Sequence, residues 1–321
     1  MNKELSLGKK YSTTRLVTIE KPVIKKNKDD LYESILFLPK IKDRKGEGGL
    51  RTKGYFKKSN PNKPLITIIT AVLNGEIYLE ETILSVINQT YDNVEYIIID
   101  GGSTDNTLNI IKTYENQIDY WVSEEDSGIS EAFNKGVRLS QGEYLNFQGD
   151  GDGFLSKDVL ERVIEDVNPC EDMLISCRIR RVTLSGSDIY TSKYISTFKF
   201  KRLLIWMSLP HQGLFTNKRY FYKYGLFKEN IKYCMDYELL LRAYHEFPKV
   251  ITKDIIASKW RADGIGVNKE LIIFKEYDEI KRINKVASNI NLEFINYFIL
   301  FKYYFKKLVF FINKRCFNKY K

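Results

Sequence analysis

The feature that most limits the fold is an uninterrupted run, ITIITAV, at residues 66–72. A strand with one face in water alternates apolar and charged residues, whereas this run offers apolar or small side chains to both faces. An amphipathic helical pattern follows, with Leu79, Ile83 and Val86 on one side, and a second apolar run occupies residues 94–99. Buried strands separated by helices predict an α/β protein with a Rossmann-like, mostly parallel central sheet flanked by helices.

The same alternation continues along the chain. Strands are predicted at residues 120–122 and 144–147, and helices at about 106–114 and around the apolar positions of 129–137. The later predicted elements are a helix carrying Leu160 to Val167, strands at 173–178 and 250–258, and a helix near 236–247. Ligands of such a sheet bind at the carboxyl ends of its strands, so the turns after the strands are the places to search for a site.

Three parts of the chain differ in composition. Residues 1–62 are polar and basic and are predicted to be an N-terminal extension with turns and one short strand at 34–38. The regular pattern occupies residues 63–270, which we expect to form the main domain. Residues 271–321 are predicted to be C-terminal helices.

Charge and cysteine content limit the classes of partner. The formal net charge of +10 and the pI near 9.1 favour an anionic partner, or else describe a lysine-rich, solvated surface. No RNA-recognition, zinc-finger or helix-turn-helix pattern is present, so nucleic acid is not expected. The four cysteines show no paired CxxC spacing, which argues against a zinc site or a disulfide framework. Residues 1–12 have no apolar core of a secretory signal, so we expect a cytoplasmic protein.

The turn after the first strand, AVLNGE at residues 71–76, contains a single glycine. It is neither the GxGxxG fingerprint of dinucleotide-binding proteins nor the GxxxxGK[ST] phosphate loop. Nicotinamide-dependent dehydrogenases and P-loop nucleotide hydrolases are therefore unlike this chain.

Acidic residues follow each later strand of the pattern: Asp100, Glu124, Asp126, Asp150 and Asp152. Because parallel strands end at one edge of the sheet, these carboxylates are expected to converge. Carboxylates and phosphate oxygens together suit Mn²⁺ or Mg²⁺, so a divalent cation and a diphosphate ligand are predicted. Lys135, or the pair Arg51 and Lys53, would supply positive charge for phosphate. The alternative is that such acids cap helices, as Asp105 is expected to do.

Five segments, in this order, resemble the family 2 glycosyltransferases, which have the GT-A fold. They are ITIITAVLNG (66–75), SVINQTY (85–91), EYIIIDGGSTDNT (95–107), SEEDSGISEAFNKGV (123–137) and GEYLNFQGDGD (142–152). A looser resemblance continues through HQGLF, YGLF and CMDYELLLR, so that roughly residues 50–265 are covered. It implies a nucleotide-sugar half at 63–155 and an acceptor half at 156–270.

The resemblance implies an inverting, metal-dependent glycosyltransferase. Its donor would be a nucleotide-diphosphate sugar, with UDP the commonest nucleotide of the family. Its acceptor would be a hydroxyl of a saccharide or lipid-linked saccharide in bacterial surface polysaccharide biosynthesis. Two alternatives remain open: a sugar-nucleotide nucleotidyltransferase, which would need a glycine- and basic-rich first turn, and a catalytically inactive saccharide-binding relative.

The resemblance also assigns the donor site position by position. Ala71 and Asn74 would border the nucleotide, Asp100 would accept a hydrogen bond from the base, and Asp126, Asn134 and Lys135 would close over the ribose, sugar or diphosphate. Asp150 and Asp152 match the DxD element, in which the last acid binds the metal and the first lies near the ribose and a metal-bound water. In many members the two acids are adjacent, whereas Gly151 separates them here. We expect Asp152 to be the direct metal ligand.

On the acceptor side, Asp236 in MDYELLLR is the predicted catalytic base. Inversion needs a base that takes the proton of the attacking hydroxyl, and a carboxylate can do so. Asp236 could also cap its helix, and Glu238 is the fallback base. His211 would contact the acceptor, complete the metal shell or serve a structural purpose. Residues 260–266, WRADGIG, resemble the mobile segment of the family, in which Arg261 would reach phosphate.

The final segment, residues 291–321, is rich in aromatic residues and lysine. Its lysines break every apolar run well short of the roughly 20 residues that a membrane span requires. Aromatic residues and lysine favour an interfacial helix on an anionic membrane, which would place the protein peripherally on the inner face of the cell membrane. A helix packed on the main domain with its lysines outward is the alternative.

Overall fold

A mixed ten-stranded sheet organises the chain, of which the computed structural model describes residues 6–24, 26–262, 264 and 266–317. The strands are β1 (Gly46–Gly48), β2 (Ile66–Val72), β3 (Val94–Asp100), β4 (Tyr120–Ser123), β5 (Tyr144–Gly149), β6 (Gly153–Phe154), β7 (Leu174–Val182), β8 (Asp188–Thr191), β9 (Leu214–Asn217) and β10 (Val250–Arg261). The helices are α1 (Leu79–Ile87), α2 (Thr107–Thr113), α3 (Ile129–Leu139), α4 (Val159–Ile164), α5 (Lys218–Tyr224), α6 (Met235–Arg242), α7 (Glu270–Ile283) and α8 (Asn289–Phe317).

Four parallel strands, in the spatial order β4-β3-β2-β5, form one half of the sheet. Strand β9 continues the sheet in antiparallel orientation and pairs with β7, which is parallel to β10. Strands β1 and β6 lie at the two ends, and β8 pairs with β7. The predicted α/β class with a mostly parallel central sheet is confirmed.

The strand register sets where the site lies. Val72 is paired with Asp100, and Asp100 is paired with Ser123. Ala71 is paired with Gly149 at the end of β5. Four consecutive parallel strands thus end at one level, and the acids that follow them reach the same edge of the sheet.

Apolar side chains of β2 enter two separate cores, one on each face of the sheet. Ile66 and Ile68 pack with residues of α1, α2 and α4, whereas Ile69 and Ala71 pack with residues of α3, α5 and α6. The run at 66–72 is apolar because both of its faces are covered by helices.

The N-terminal segment differs from its prediction in one respect. Residues 34–38 form no strand, so that prediction is wrong. The strand lies instead at β1, where Glu47 pairs with Val122 of β4. Gly46 and Gly48 lie against the indole of Trp121, and a Cβ on Gly48 would come within 2.6 Å of its Nε1 atom. Only glycine lets the backbone of β1 come this close to the indole. Through β1, the predicted N-terminal extension contributes a strand to the main sheet.

Arg51 and Lys53 do not lie at the edge that carries the acids. The Arg51 guanidinium is buried and lies 2.6 Å from Glu95, one residue after the start of β3 and so at the opposite end of the strand from Asp100. Lys53 lies 2.8 Å from Glu115. The prediction that this pair binds phosphate is therefore wrong: Arg51 fastens the N-terminal segment to the sheet.

Two helices, α7 and α8, complete the described chain. Lys281 of α7 is buried and donates to Asn296 Oδ1 of α8 at 2.9 Å, and Leu292 is buried beside them. The first turns of α8 thus pack on α7. Within the described residues, no helix is long and apolar enough to cross a membrane.

Candidate active site

The first two turns of the carboxyl edge are tied together by Asn74, which has a left-handed φ of 54°. Its backbone N–H donates to Ser103 Oγ at 2.7 Å, and its Oδ1 accepts from the N–H of Thr104 at 2.9 Å. A Cβ on Gly75 would lie 3.2 Å from Asp150 Oδ2. The turns after β2, β3 and β5 are therefore in contact, as the convergence argument predicts.

Asp100 is enclosed within its own turn. Its carboxylate accepts hydrogen bonds from the hydroxyls of Ser103 and Ser123, the latter at 2.5 Å, and from the N–H of Ser103. The residue has no exposed surface in this structure. These bonds agree with the turn-forming alternative, and a contact with the base stays a prediction.

Asp126 lies beside that turn, against Gly101. A Cβ on Gly101 would come within 2.7 Å of Asp126 Oδ2, so the absence of a side chain lets the two loops meet. The N–H of Gly128 donates to Asp126 Oδ1 at 2.9 Å. Partial burial raises the pKa of Asp126 despite this hydrogen bond. Its position near the Asp100 turn agrees with its predicted place in the donor site, although no contact with a ligand is shown.

Lys135 is paired with two carboxylates, Glu124 at 3.0 Å and Glu131 at 2.9 Å. Burial alone lowers the pKa of Lys135, but the hydrogen bonds to Glu131 and Glu124 outweigh it and raise the pKa above its ordinary value. Glu124 is also paired with Arg44 at 2.8 Å. Lys135 thus remains charged, and the carboxylates of Glu124 and Glu131 largely neutralise that charge. It is therefore a weaker candidate for binding phosphate than its position in the sequence suggested.

Asn134 is hydrogen-bonded to the loop that precedes α6. Its side chain accepts from the N–H of Phe227 at 2.9 Å and donates to the Phe227 carbonyl at 2.9 Å. This double hydrogen bond fixes the loop before α6, the helix that carries Asp236. The structure therefore gives Asn134 a structural explanation, and its predicted contact with the donor stays untested.

Asp150 and Asp152 occupy the turn after β5. Gly151 between them has a φ of 79°, and a Cβ there would collide with the Arg261 guanidinium. The left-handed φ favours glycine at this position, and the absence of a side chain leaves room for the Arg261 guanidinium. The Thr82 hydroxyl of α1 accepts from the N–H of Gly151 at 2.8 Å and donates to the Asp152 carbonyl at 2.6 Å, which pins the turn.

Asp152 is buried and hydrogen-bonded from two distant segments. Its Oδ1 accepts from the backbone N–H of Arg261 at 3.1 Å, and its Oδ2 accepts from Gln212 Nε2 at 3.0 Å. The pKa of Asp152 is raised to about 6, chiefly by burial and in smaller part by the charge of Asp150, although its hydrogen bonds act to lower it. A divalent cation would favour the ionised form of such a carboxylate.

The carboxylate pair fits the divalent cation that the resemblance implies. Within the described residues, no group of three or more histidine, cysteine, aspartate or glutamate side chains could hold a metal ion. Mn²⁺ or Mg²⁺ bound by one or two carboxylates takes its remaining oxygens from phosphate and water, so two acids in one turn are sufficient. Asp150 and Asp152 are the residues that would hold it.

Arg261, at the end of β10, lies at the same turn. Its guanidinium is 3.8 Å from Asp150 Oδ2 and stacks on the Tyr78 ring, 3.3 Å from the centroid. Arg261 thus lies beside Asp150, and its contact with phosphate stays a prediction. Of the predicted mobile segment 260–266, Asp263 and Ile265 lie outside the described residues.

His211 and Asp236 meet on the acceptor side. The His211 ring stacks on Phe147 with centroids 5.4 Å apart, and its Nδ1 lies 3.9 Å from Asp236 Oδ2. Burial lowers the pKa of His211, although the charge of Asp236 raises it, so the ring is neutral at pH 7. In the described part of the chain, Nε2 is buried and has no hydrogen-bond partner.

The two candidate bases have different surroundings. Asp236, in the first turn of α6, is partly exposed, and its Oδ1 accepts from the N–H of Tyr237 at 2.7 Å. Glu238 is fully buried and paired with Arg242 at 2.5 Å and Lys228 at 2.7 Å. The fallback prediction of Glu238 as base is therefore disfavoured, because its carboxylate is enclosed within a structural ion-pair network.

One cleft of about 1120 Å³ joins these groups, and we call it the acceptor cleft. Its lining includes Ala71, Asp150, Asp152, His211, Asp236 and Arg261. Residues to which sequence reasoning gave no role also line it, among them Gln212, Arg181 and Trp206. For Arg181 and Trp206, the signal in the sequence was the density of arginine and aromatic residues between 178 and 206.

The fold is similar to that of solved glycosyltransferases. S. aureus TarS in complex with UDP-GlcNAc superposes with a TM-score of 0.57 and 17% identity, covering 74% of this chain and 71% of that one. The mannosyltransferase PcManGT from Pyrobaculum calidifontis, in complex with GDP-Man and Mn²⁺, gives a TM-score of 0.53 and 16% identity, covering 73% and 68%. At these identities the likeness establishes the GT-A fold.

Comparison of sequences also gives similarity to glycosyltransferases. An uncharacterized glycosyltransferase of Rickettsia typhi is 28% identical over 231 residues, which is 70% of this chain and 72% of that protein. The profile of glycosyl transferase family 2 matches residues 67–236. Because that match spans more than half of the 321 residues, the chain belongs to glycosyl transferase family 2 and is a glycosyltransferase.

Proposed function

We propose that this enzyme is an inverting, metal-dependent glycosyltransferase that uses a nucleotide-diphosphate sugar, most simply a UDP-sugar. The observation that carries the proposal is the acceptor cleft, which is lined both by the carboxylate pair Asp150 and Asp152 and by the partly exposed carboxylate of Asp236. Further support comes from the ligands of the similar structures, UDP-GlcNAc in TarS and GDP-Man with Mn²⁺ in PcManGT.

The proposed reaction divides its work between the two carboxylate sites. A divalent cation bound by Asp150 and Asp152 would supply stabilisation of the negative charge that develops on the departing diphosphate. Asp236 accepts the proton of the acceptor hydroxyl as its oxygen bonds to the anomeric carbon, while the bond from that carbon to the diphosphate oxygen breaks and its electron pair leaves with the nucleotide. The neutral His211 ring, fixed by Phe147, limits the positions that Asp236 and the acceptor can adopt.

A nucleotide-release assay tests this proposal. Full-length protein is incubated with UDP- and GDP-sugars, with Mn²⁺, with Mg²⁺ or with EDTA, and free nucleotide diphosphate is measured. We expect release from one donor class, dependent on the cation and accelerated by a saccharide acceptor. Donor binding without release in any acceptor pool would favour the inactive saccharide-binding alternative, and release that EDTA does not affect would remove the metal. The nucleotidyltransferase alternative is excluded by the family membership.

We further propose that the acceptor is a saccharide or lipid-linked saccharide of bacterial surface polysaccharide biosynthesis, and that α8 brings the enzyme to the inner face of the membrane. In support, α8 exposes Phe294, Tyr297, Phe301 and Phe305 at helical spacing. Lys302 lies within the same part of the helix, and its Nζ is 4.4 Å from the Phe298 ring centroid. Aromatic residues and lysine on one exposed helix suit an anionic membrane surface.

Binding to lipid vesicles tests the proposed membrane contact of α8. We expect full-length protein to co-sediment with phosphatidylglycerol vesicles and to do so less at high salt, and we expect the triple variant Tyr297→Ser, Phe301→Ser, Phe305→Ser to lose most of this binding. A matched control replaces three exposed apolar residues outside the tail, Ile19, Val23 and Ile41, by serine. Equal binding by the tail variant and the control would show that α8 does not mediate membrane contact.

A further inference from the structure

Besides Arg261, the described lining of the acceptor cleft contains six cations, which we call its basic wall. Its cations are Arg178, Arg181, Lys193, Arg202, Lys232 and Lys253. The described acids of the lining are Asp150 and Asp152, Asp236, the proposed base, and Glu270. Positive charge therefore exceeds negative charge along the described lining of the cleft, although a neutral sugar hydroxyl does not require it.

Arg181 is a cation of this basic wall whose guanidinium is held in place by an aromatic ring and not by a described carboxylate. Arg178, on the same strand, lies 2.7 Å from Asp254, and Arg180 lies 3.8 Å from Asp188. No described carboxylate pairs with Arg181, whose guanidinium instead stacks on the Trp260 indole, 4.5 Å from the ring centroid. Stacking fixes the plane of a guanidinium and leaves the N–H groups at its edge available for a planar anion.

Buried polar atoms without partners occur in the same cleft. They are Arg181 Nε, Ser208 Oγ and His211 Nε2, and in the described chain none of them has a hydrogen-bond partner. Buried polar groups in native proteins are almost always hydrogen-bonded, so each of these needs an explanation. A polar ligand reaching Arg181 and passing Ser208 and His211 towards Asp236 would supply the missing partners.

We propose that the acceptor is anionic, and that a carboxylate or phosphate group near its reacting hydroxyl binds to the edge of Arg181. This rests on the proposed function, because it concerns the acceptor of that reaction. Arginine binds such groups through two parallel hydrogen bonds, which fix orientation as well as adding affinity. Lys193 and Arg202, which are more exposed, attract the anion at longer range and lose this effect as salt rises.

Ligand-observed NMR titration of full-length protein with UDP and Mn²⁺ tests the inference with two matched pairs. Methyl glucuronide is compared with methyl glucoside for a carboxylate within the glycan, and hexyl glucosyl phosphate is compared with hexyl glucoside for a phosphate in the lipid linkage. We expect the anionic member of at least one pair to bind about tenfold more tightly or better. We expect Arg181→Gln to abolish that preference while affinity for the neutral sugars is retained.

Arg180→Gln is the matched control, because Arg180 is the next residue on β7, has a carboxylate partner and is not among the described residues lining the cleft. It should keep the preference. A preference in the glucuronide pair alone would assign the charge to the glycan, and one in the phosphate pair alone would assign it to the linkage. Equal affinities within both pairs, or an unchanged preference in Arg181→Gln, would overturn the inference. UDP affinity, measured in the same samples, reports separately on the proposed donor site.

Discussion

Asp152→Asn is expected to lose roughly 100-fold or more of the metal-dependent nucleotide release. The substitution removes the charge of the buried carboxylate that would hold the cation but nearly preserves its shape. Its hydrogen bonds can also be kept: the new amide oxygen can accept from Arg261, and Gln212 can rotate its own amide to accept from the new NH₂ group. The loss should therefore be in metal affinity and release, with little change in the melting temperature. Calorimetric titration of Mn²⁺ in the presence of UDP, together with the release assay, measures both.

Asp150→Asn provides the comparison within the same turn. Asp150 is more exposed than Asp152 and lies 3.8 Å from the Arg261 guanidinium, so we expect a smaller loss of metal affinity. If Asp150→Asn loses Mn²⁺ binding and Asp152→Asn keeps it, the direct metal contact belongs to Asp150. If both variants keep binding and release, the DxD turn is not the metal site.

Asp236→Asn is expected to slow sugar transfer by about 10²- to 10⁴-fold, because an amide cannot accept the proton of the attacking hydroxyl. Asp236 lies in α6, outside the turn that would hold the cation, so affinity for UDP and Mn²⁺ should be unchanged. The hydrogen bond from the N–H of Tyr237 survives in the variant, and the start of α6 should therefore be preserved. Transfer kinetics and UDP titration on the same preparation separate the two effects.

Glu238→Gln, on the same helix, is the matched control for this variant. Its buried carboxylate neutralises Arg242 and Lys228, so the change should lower the melting temperature. The folded fraction should nevertheless transfer sugar at close to the normal rate. Loss of transfer in Glu238→Gln with normal transfer in Asp236→Asn would reverse the assignment of the base.

The donor half could be predicted from the sequence because its signals are local. Apolar runs such as 66–72 report burial on both faces, and residues that directly follow a strand reach the carboxyl edge in any parallel sheet. Asp100, Asp126, Asp150 and Asp152 all lie at that edge as expected. Position in the chain did not, however, reveal that Glu124 and Glu131 form ion pairs with Lys135. Nor did it reveal that Asn134 is hydrogen-bonded to Phe227.

The acceptor half depends on contacts between residues far apart in the chain. Strand β9 has four residues and is held between β5 and β7, and β8 has only four residues, so neither has a long periodic pattern. The partners of Asp152 come from positions 60 and 109 residues later. Burial of Arg51 likewise depends on Glu95, which is 44 residues away. Such contacts form only when the whole chain has folded, and a short stretch of sequence cannot predict them.

The three-residue strand β1 has a consequence for defining a minimal enzyme. The family match begins at residue 67, which suggests that the preceding residues can be removed. Without β1, however, β4 would become an outer strand with unpaired backbone groups and an uncovered Trp121 indole. An open, apolar edge of this kind is a template on which other chains can pair, so a fragment starting near residue 63 should self-associate where the longer chain does not.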